Sequence, residues 1–252
     1  MLPELTPQEK ERYDRHLRIP EIGEEGQCKL KAASALIVGV GGLGSPLALY
    51  LAAAGIGRIG LVDSDVVSLS NLQRQVIHGE SGLNQPKVET ARRRLQDLNS
   101  TVQLDVYPER FTPKNGERLA APYDLLMDGT DNLLTRNWIN EIAVKQGKPY
   151  IYGGVFQFEG QVSIFDARRG PCYRCLFPHP PQNHENAPTP GVFSALPGTI
   201  GTLQVSEAVK IILGIGELLI GKLLLFNGLD MSFQTILFNQ NPDCPVCGKG
   251  SK

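Results

Sequence analysis

The sequence lacks a surplus of charge of either sign, since 25 basic and 26 acidic side chains leave a formal net charge of −1. It contains no stripe of basic residues, which argues against binding to nucleic acid. No apolar run reaches the length of a membrane span, and residues 1–5 lack the basic and apolar regions of a signal peptide. We therefore expect a cytoplasmic protein that binds neither nucleic acid nor membranes.

Cysteine is scarce and unevenly placed. Four of the five cysteines form the pairs Cys172/Cys175 and Cys244/Cys247, each with two intervening residues. In a reducing compartment such pairs favour a metal site over disulfides. Four thiolates in a closed tetrahedral set are typical of structural zinc, so we predict that these cysteines bind Zn²⁺. Cys28 stands alone, and we interpret it as a passive helix residue.

Buried strands and helices alternate along the chain, starting at residues 35–44. An apolar, β-branched run ends there in Gly39, Gly41, Gly42 and Gly44 and then continues as a helix. This pattern is typical of the glycine turn of a Rossmann fold, where backbone N–H groups and a helix N-terminus approach a phosphate. Further strands are expected at residues 58–63, 102–107, 123–127, 149–154, 160–165, 222–226 and 231–238.

Helices are expected between most of these strands. They are predicted at residues 7–19, 44–51, 87–98, 113–121, 133–146 and 198–213. A Pro/Asn-rich loop at residues 176–198 is long enough to be functional or mobile, and we expect it to be mobile. The sequence thus predicts an α/β, Rossmann-like fold with a mostly parallel sheet, a crossover loop and a small β extension. Residues 1–252 form one domain, with a nucleotide-binding core through about residue 170.

Charged side chains after the later strands complete a predicted nucleotide site. Asp63 lies about 20 residues beyond the glycines, where a carboxylate accepts hydrogen bonds from ribose hydroxyls, and Asp65 is close enough to share that role. Lys87 places a cation in the first turn of a helix, which is unfavourable unless an anion binds there. Arg74 and Lys87 can neutralise a triphosphate, and Asp131 at the end of a strand can hold Mg²⁺. This set favours phosphate chemistry over hydride transfer.

Several motifs together resemble those of the MoeB/ThiF adenylyltransferases, bacterial relatives of ubiquitin-activating enzymes, and most of all the MoeB type. They lie, in order and at family spacing, at residues 39–44, 69–75, 85–87, 130–132, 171–176 and 244–247. The resemblance implies ATP-dependent adenylation of the C-terminal glycine of a ubiquitin-like sulfur carrier of the MoaD or ThiS type. The products would be an acyl-adenylate and pyrophosphate, and residues 171–252 would carry the crossover loop, the zinc site and the carrier-binding surface.

The resemblance also implies roles for individual residues. Arg74 and Lys87 would hold the triphosphate and stabilise charge at the α-phosphorus, Asn71 and Gln75 would bind nucleotide or phosphate, and Asp131 would position Mg²⁺. Arg15 would enter the ATP site of a neighbouring subunit, which implies a homodimer. The attacking carboxylate is ionised at neutral pH, so no general base is required. The four histidines accordingly fall outside the core motifs.

The chain departs from several relatives at the crossover loop, because residues 186–191 contain no cysteine. We therefore expect adenylation without a stable enzyme–carrier thioester. No rhodanese-like sequence follows residue 248, so we expect a separate protein as sulfur donor. The carrier could serve molybdopterin, thiamine, thiolated tRNA or another sulfur pathway.

Three other hypotheses remain at this point. An NAD-dependent Rossmann oxidoreductase would explain the glycines and Asp63 but neither the two cations nor the cysteine pairs. A tRNA-modifying dehydratase of the same family is disfavoured by the near-neutral charge. A carrier-binding scaffold without activity is disfavoured by the complete set of ATP-binding residue types.

Overall fold

The computed structural model describes residues 2–179 and 191–248, which contain one eight-stranded sheet. Its strands are β1 (Ser34–Val38), β2 (Arg58–Val62), β3 (Gln103–Tyr107), β4 (Leu125–Asp128), β5 (Tyr150–Phe156), β6 (Glu159–Phe165), β7 (Lys222–Asn227) and β8 (Ser232–Leu237). Their order is β3-β2-β1-β4-β5-β6-β7-β8. The first five strands in this order pair in parallel and the remaining pairs are antiparallel. The predicted α/β fold is confirmed, and the small β extension continues the same sheet.

The helices cover both faces of the sheet, as the alternating pattern predicts. They are α1 (Pro7–Arg12), α2 (Asp14–Leu17), α3 (Gly23–Ala32), α4 (Gly44–Ala54), α5 (Lys87–Leu98), α6 (Gly116–Ala120), α7 (Leu133–Gln146), α8 (Tyr173–Leu176) and α9 (Leu196–Leu213). Cys28 lies half-buried within α3, in agreement with its prediction as a helix residue. Of the loop predicted at residues 176–198, residues 180–190 lie outside the described part of the chain, whereas its ends at residue 176 and at residues 196–198 belong to α8 and α9.

The prediction of one continuous amino-terminal helix is wrong. The helix is interrupted at Tyr13, whose φ of −97° and ψ of 13° separate α1 from α2. Tyr13 is buried, and its hydroxyl accepts a hydrogen bond from Asn99 Nδ2 at 2.9 Å. This contact spans 86 residues of sequence, so local helix signals could not predict the interruption.

The core lies on both sides of β1. Ala35 and Ile37 pack into the cluster beneath α4, α5 and α9, whereas Leu36 and Val38 pack into the cluster beneath α6 and α7. Successive side chains of a strand point to opposite faces, so a strand buried on both faces reads as an unbroken apolar run. Burial on both faces therefore explains the run at residues 35–38.

The chain order places a topological switch point between β1 and β4. From β1 the chain continues to β2 and β3 on one side, and β4 and β5 lie on the other side. The segments after β1 and after β4 therefore flank one crevice at the carboxyl ends of the parallel strands. Open α/β sheets bind their ligands at such crevices. Among the described residues, no helix is both long and apolar enough to cross a lipid bilayer.

Candidate active site

The glycine turn after β1 packs directly against the loop after β4. Gly39 adopts a φ of +90°, and a Cβ at this position would lie 2.7 Å from the carbonyl oxygen of Gly129. A Cβ at Gly44 or Gly129 would collide with the carbonyl group of Gly39. Glycine is therefore required at these positions for a backbone-to-backbone contact. Gly129 was not predicted as a site residue, because its partner is more than 80 residues away in sequence.

Asp63 supports the glycine turn from the end of β2. Its Oδ2 accepts a hydrogen bond from the Val40 N–H at 2.8 Å, and its Oδ1 accepts one from the Asp65 N–H at 2.8 Å. Burial raises the pKa of Asp63, while the nearby charge of Lys87 and these two donors oppose the rise. Each carboxylate oxygen retains a second lone pair, so the ribose contact of Asp63 and Asp65 stays a prediction.

Lys87 is buried at the start of α5 and faces the same crevice. Its side chain is only 7% exposed, and its Nζ forms an ion pair at 2.9 Å with Asp65 Oδ2, whose side chain is 64% exposed. The Lys87 N–H also donates to the Asp65 carbonyl oxygen at 2.9 Å. The segment between them thus folds back and places the first turn of α5 beside the end of β2.

The polar segment between β2 and α5 lies against the glycines. The Cδ atom of Arg74 lies 3.7 Å from the Cβ position of Gly42, and Gln75 Nε2 lies 3.4 Å from that of Gly41. Gln75 is buried, and its Oε1 has no hydrogen-bond partner among the described residues. The structure therefore brings Arg74 and Gln75 to the glycine turn, and their binding of nucleotide or phosphate stays a prediction.

Asn71 and Asp131 lie at the two loops that border this crevice. Asn71 ends a short 3-10 turn, where its Oδ1 accepts a hydrogen bond from the Ser68 N–H at 3.2 Å. Asp131 follows β4 and is exposed. The next residue, Asn132, caps α7 by accepting a hydrogen bond from the Thr135 N–H at 2.8 Å. Nucleotide binding by Asn71 and Mg²⁺ binding by Asp131 stay predictions.

Arg15 is exposed on α2, away from this crevice. Its neighbour Tyr13 packs against Gly55, which ends α4. Since α4 has 11 residues, this end lies about 16 Å along the helix from the glycine turn. The structure does not bring Arg15 to the glycine turn of its own chain.

The four paired cysteines form one cluster on the carboxyl-terminal side. Cys172 Sγ lies 3.6 Å from Cys244 Sγ, and Cys175 Sγ lies 3.4 Å from Cys247 Sγ. A tetrahedral zinc with Zn–S bonds of about 2.3 Å places its sulfur ligands about 3.8 Å apart. Burial raises the pKa of the Cys172 thiol and raises that of Cys175 to about 11, so a cation would be needed to hold them as thiolates. The donor set and spacing fit Zn²⁺.

Two groups of buried residues at this site were missed by sequence analysis. His78 lies between the glycine turn and α5, with its Nε2 donating to the Val40 carbonyl oxygen at 2.9 Å and its Nδ1 2.7 Å from Thr90 Oγ1. Asp128 and Arg136 form a buried ion pair beneath the loop that carries Asp131. The residues that contact them belong to separate elements. The sequence therefore gives only a weak signal of their burial, namely charged residues at positions with apolar neighbours.

Comparisons with known proteins agree with this geometry. The model of the ThiF family matches residues 13–246. The sulfur carrier protein adenylyltransferase of Thermus thermophilus is 46% identical, over 96% of this chain and 92% of that protein. The probable adenylyltransferase/sulfurtransferase MoeZ of Mycobacterium tuberculosis is 44% identical, over 96% of this chain and 63% of that protein.

Solved structures support the fold. E. coli MccB, crystallised with ATP, superposes with a TM-score of 0.82 over 96% of this chain and 75% of that chain, at 24% sequence identity. At this identity the likeness concerns the fold alone. The family match extends over nearly all of the described residues and over every element of the crevice. The chain therefore belongs to the ThiF family.

Proposed function

We propose that the protein is an ATP-dependent adenylyltransferase that activates the C-terminal glycine of a ubiquitin-like sulfur carrier. The observation that carries the proposal is the meeting of a glycine turn, Arg74, the buried Lys87 and the exposed Asp131 at one switch point. Relatives named as adenylyltransferases cover almost the whole chain. Within a single domain, the core through about residue 170 binds the nucleotide, and residues 171–252 contribute the zinc site and a carrier-binding surface.

In the proposed reaction, the carrier carboxylate attacks the α-phosphorus of ATP and the bond to pyrophosphate breaks. The glycine turn and the N-terminus of α4, which has no side-chain cap, bind phosphate oxygens. Lys87 exchanges its ion pair with Asp65 for the phosphates, and Arg74 adds a second cation. Preorganised cations of this kind stabilise charge that develops in the transition state. Asp131 would hold Mg²⁺, which supplies further positive charge to the phosphates.

We propose a homodimer in which Arg15 of one chain completes the site of the other. The support is its position near the far end of α4, which leaves it without access to its own glycine turn. Apolar side chains near the site are also exposed, including Val66 at 51%, Leu69 at 68% and Val76 at 62%. Exposed apolar side chains around a functional site are typical of surfaces that another chain covers.

We further propose that Zn²⁺ in the cysteine cluster has a structural role and that sulfur comes from a separate protein. The four clustered thiols leave Cys28 as the remaining cysteine of the sequence. Cys28 lies in α3, whereas the glycine turn leads into α4. This placement supports adenylation without a thioester on this chain and a sulfur donor outside it.

Carrier-dependent exchange of pyrophosphate into ATP tests the proposed function. We expect exchange, and acyl-adenylate detectable by mass spectrometry, with a carrier ending in Gly-Gly, and neither with the same carrier lacking its last glycine. Lys87→Ala should lower the exchange rate by about 10²- to 10³-fold through loss of transition-state charge stabilisation. Lys145→Ala removes an exposed lysine of α7 that pairs with Glu117 of α6, and it should leave the rate unchanged.

Thermal melts of the same protein distinguish the proposed function from the oxidoreductase hypothesis. Mg²⁺·ATP should raise the melting temperature because a ligand stabilises the state that binds it, whereas NAD should not. Near wild-type exchange by Lys87→Ala, or stabilisation by NAD alone, would contradict the proposed function.

A further inference from the structure

A buried carboxylate lies three residues before Asp131, and both of its oxygens accept hydrogen bonds from the protein. Asp128, the last residue of β4, is inaccessible to solvent. Its Oδ2 accepts hydrogen bonds from Arg136 Nε at 3.1 Å and from the Tyr150 hydroxyl at 2.7 Å. Its Oδ1 accepts from the N–H and the hydroxyl of Thr130, both at 2.9 Å. Four donors use the lone pairs of both oxygens, so Asp128 is not available as a metal ligand.

Arg136 extends this network to the backbone next to Asp131. Its Nη2 donates to the carbonyl oxygen of Thr130 at 2.9 Å and to that of Gly153 at 3.1 Å. Its guanidinium also lies 5.2 Å from the centre of the Tyr152 ring. The peptide group that joins Thr130 to Asp131 is therefore held through its carbonyl oxygen, while the side chain of Asp131 stays exposed.

Stability alone gives little reason to keep a buried ion pair at this position. Burying two charges costs several kcal/mol each, and apolar replacements of similar volume are often at least as stable. The guanidinium of Arg136 reaches its three acceptors from two nitrogens held in a rigid planar fork, whereas an ammonium group donates from one compact nitrogen and fixes their positions less precisely. The ion pair therefore serves to hold backbone groups in place, and the backbone that it holds is the start of the Asp131 loop.

We propose that Arg136 is a positioning residue, which holds the Thr130 carbonyl group and thereby directs the Asp131 carboxylate towards Mg²⁺·ATP. The proposal rests on the proposed function, in which Asp131 is the Mg²⁺ ligand. Asp128 and Tyr150 fix the guanidinium from below, and Asn132 fixes the other side of Asp131 by capping α7. Because the charges of Asp128 and Arg136 cancel, Asp131 supplies the net negative charge of the loop.

The sheet contains a second group of the same composition, which provides a matched control. Arg58 Nε lies 2.6 Å from Asp105 Oδ2, the Tyr123 hydroxyl donates to the same oxygen at 2.8 Å, and the Arg58 guanidinium lies 5.2 Å from the centre of the Tyr123 ring. This group belongs to the β2–β3 edge and to the start of β2. Removing Arg58 therefore breaks an ion pair of the same residue types, although a more exposed one, without touching the Asp131 loop.

The test measures the Mg²⁺ concentration that gives half-maximal carrier-dependent pyrophosphate exchange at saturating ATP, together with the melting temperature. We expect Arg136→Met and Arg136→Lys to raise this concentration about tenfold, a change of about 1.4 kcal/mol. Arg58→Met should lower the melting temperature and leave the Mg²⁺ dependence unchanged. Tyr150→Phe removes one hydroxyl group and should raise the half-maximal Mg²⁺ concentration about fivefold. This variant tests the proposal if the Arg136 variants do not fold.

Binding of Mn²⁺ with ATP, followed by electron paramagnetic resonance, provides a readout that does not depend on activity. The Arg136 variants should bind Mn²⁺·ATP more weakly, whereas Arg58→Met should bind it like the wild type. If the Arg136 and Tyr150 variants keep the wild-type Mg²⁺ dependence while Asp131→Asn weakens it, the positioning role is overturned and the proposed function stands. If Asp131→Asn itself leaves the dependence unchanged, the Mg²⁺ role of Asp131 fails, and the positioning role fails with it.

Discussion

His78 joins two parts of the candidate active site from a buried position. One ring nitrogen donates to the Val40 carbonyl group of the glycine turn, and the other contacts the Thr90 hydroxyl on α5. Lys87 lies in the first turn of the same helix. The histidine therefore fixes the distance between the phosphate-binding turn and the lysine that would neutralise the phosphates. Its role follows from contacts between separate elements, and no sequence motif indicates it.

The surroundings of His78 predict a pH dependence of stability. Burial lowers its pKa below the ordinary value of 6.5, so the folded protein keeps the ring neutral where the unfolded chain already binds a proton. Stability from this residue is present above about pH 6.5 and is lost as the pH falls towards the lower folded-state pKa. His78→Gln retains a donor that can reach Val40 but has no titratable group.

Chemical denaturation at pH 7 and pH 5 measures this effect. We expect the free energy of unfolding to fall more for the wild type than for His78→Gln over this interval. An equal fall in both proteins would show that His78 does not contribute to the acid sensitivity.

At the scale of single elements, the strongly patterned segments were predictable and the long-range contacts were not. The helix at Lys87–Leu98 agrees with its prediction at both ends, because Pro86 precedes it and its apolar positions have helical spacing. Likewise, β1 is identified by its apolar run and the glycines that follow. The break at Tyr13 and the buried pair of Asp128 and Arg136 depend on partners from other elements, which local patterns do not encode.

The cysteine cluster connects α8 to the segment that follows β8. Cys172 precedes α8 and Cys175 lies within it, and Cys244 and Cys247 follow β8. Tyr173 of α8 packs into the core beneath α6 and α7, whereas the residues of β8 are exposed, so the cluster ties the segment after β8 to the core. A structural metal contributes directly to the stability of such a region.

We predict about one zinc per chain in protein purified under reducing conditions. Cys247→Ser should release the metal and lower the melting temperature, because three thiolates no longer close a tetrahedral site. Cys28→Ser provides the control, since Cys28 lies in α3 and should keep both zinc and stability. Elemental analysis and thermal melts check the result. Wild-type protein without zinc, or full zinc in Cys247→Ser, would contradict the assignment.

At the scale of the whole molecule, the proposed homodimer assigns Arg15 and Lys87 of one active site to different chains. A dimer with Arg15→Ala in one subunit and Lys87→Ala in the other would then contain one site with both defects and one site with neither. The two variants alone contain only defective sites. We therefore expect mixing, after exchange of subunits, to restore up to about a quarter of the wild-type carrier-dependent exchange, since about half of the dimers are mixed and half of their sites are intact.

The control for this experiment mixes Arg15→Ala with Arg15→Ala,Lys87→Ala, which cannot form an intact site. Recovery only in the first mixture would support a shared site. If Arg15→Ala is inactive and the mixture of exchanged subunits stays as inactive as the separate variants, Arg15 acts within its own chain.

The strand order also has a consequence for how the chain is made. One edge of β1 pairs with β2, which follows soon after it in the chain. The other edge pairs with β4. The first bonds on that side join Ser34 to Asp124, 90 residues later. Until β4 has left the ribosome, this edge of β1 presents unpaired backbone N–H and C=O groups between two apolar faces, which is a hazard for association between nascent chains. The same β1–β4 contact that forms the crevice therefore also protects this edge once β4 is in place.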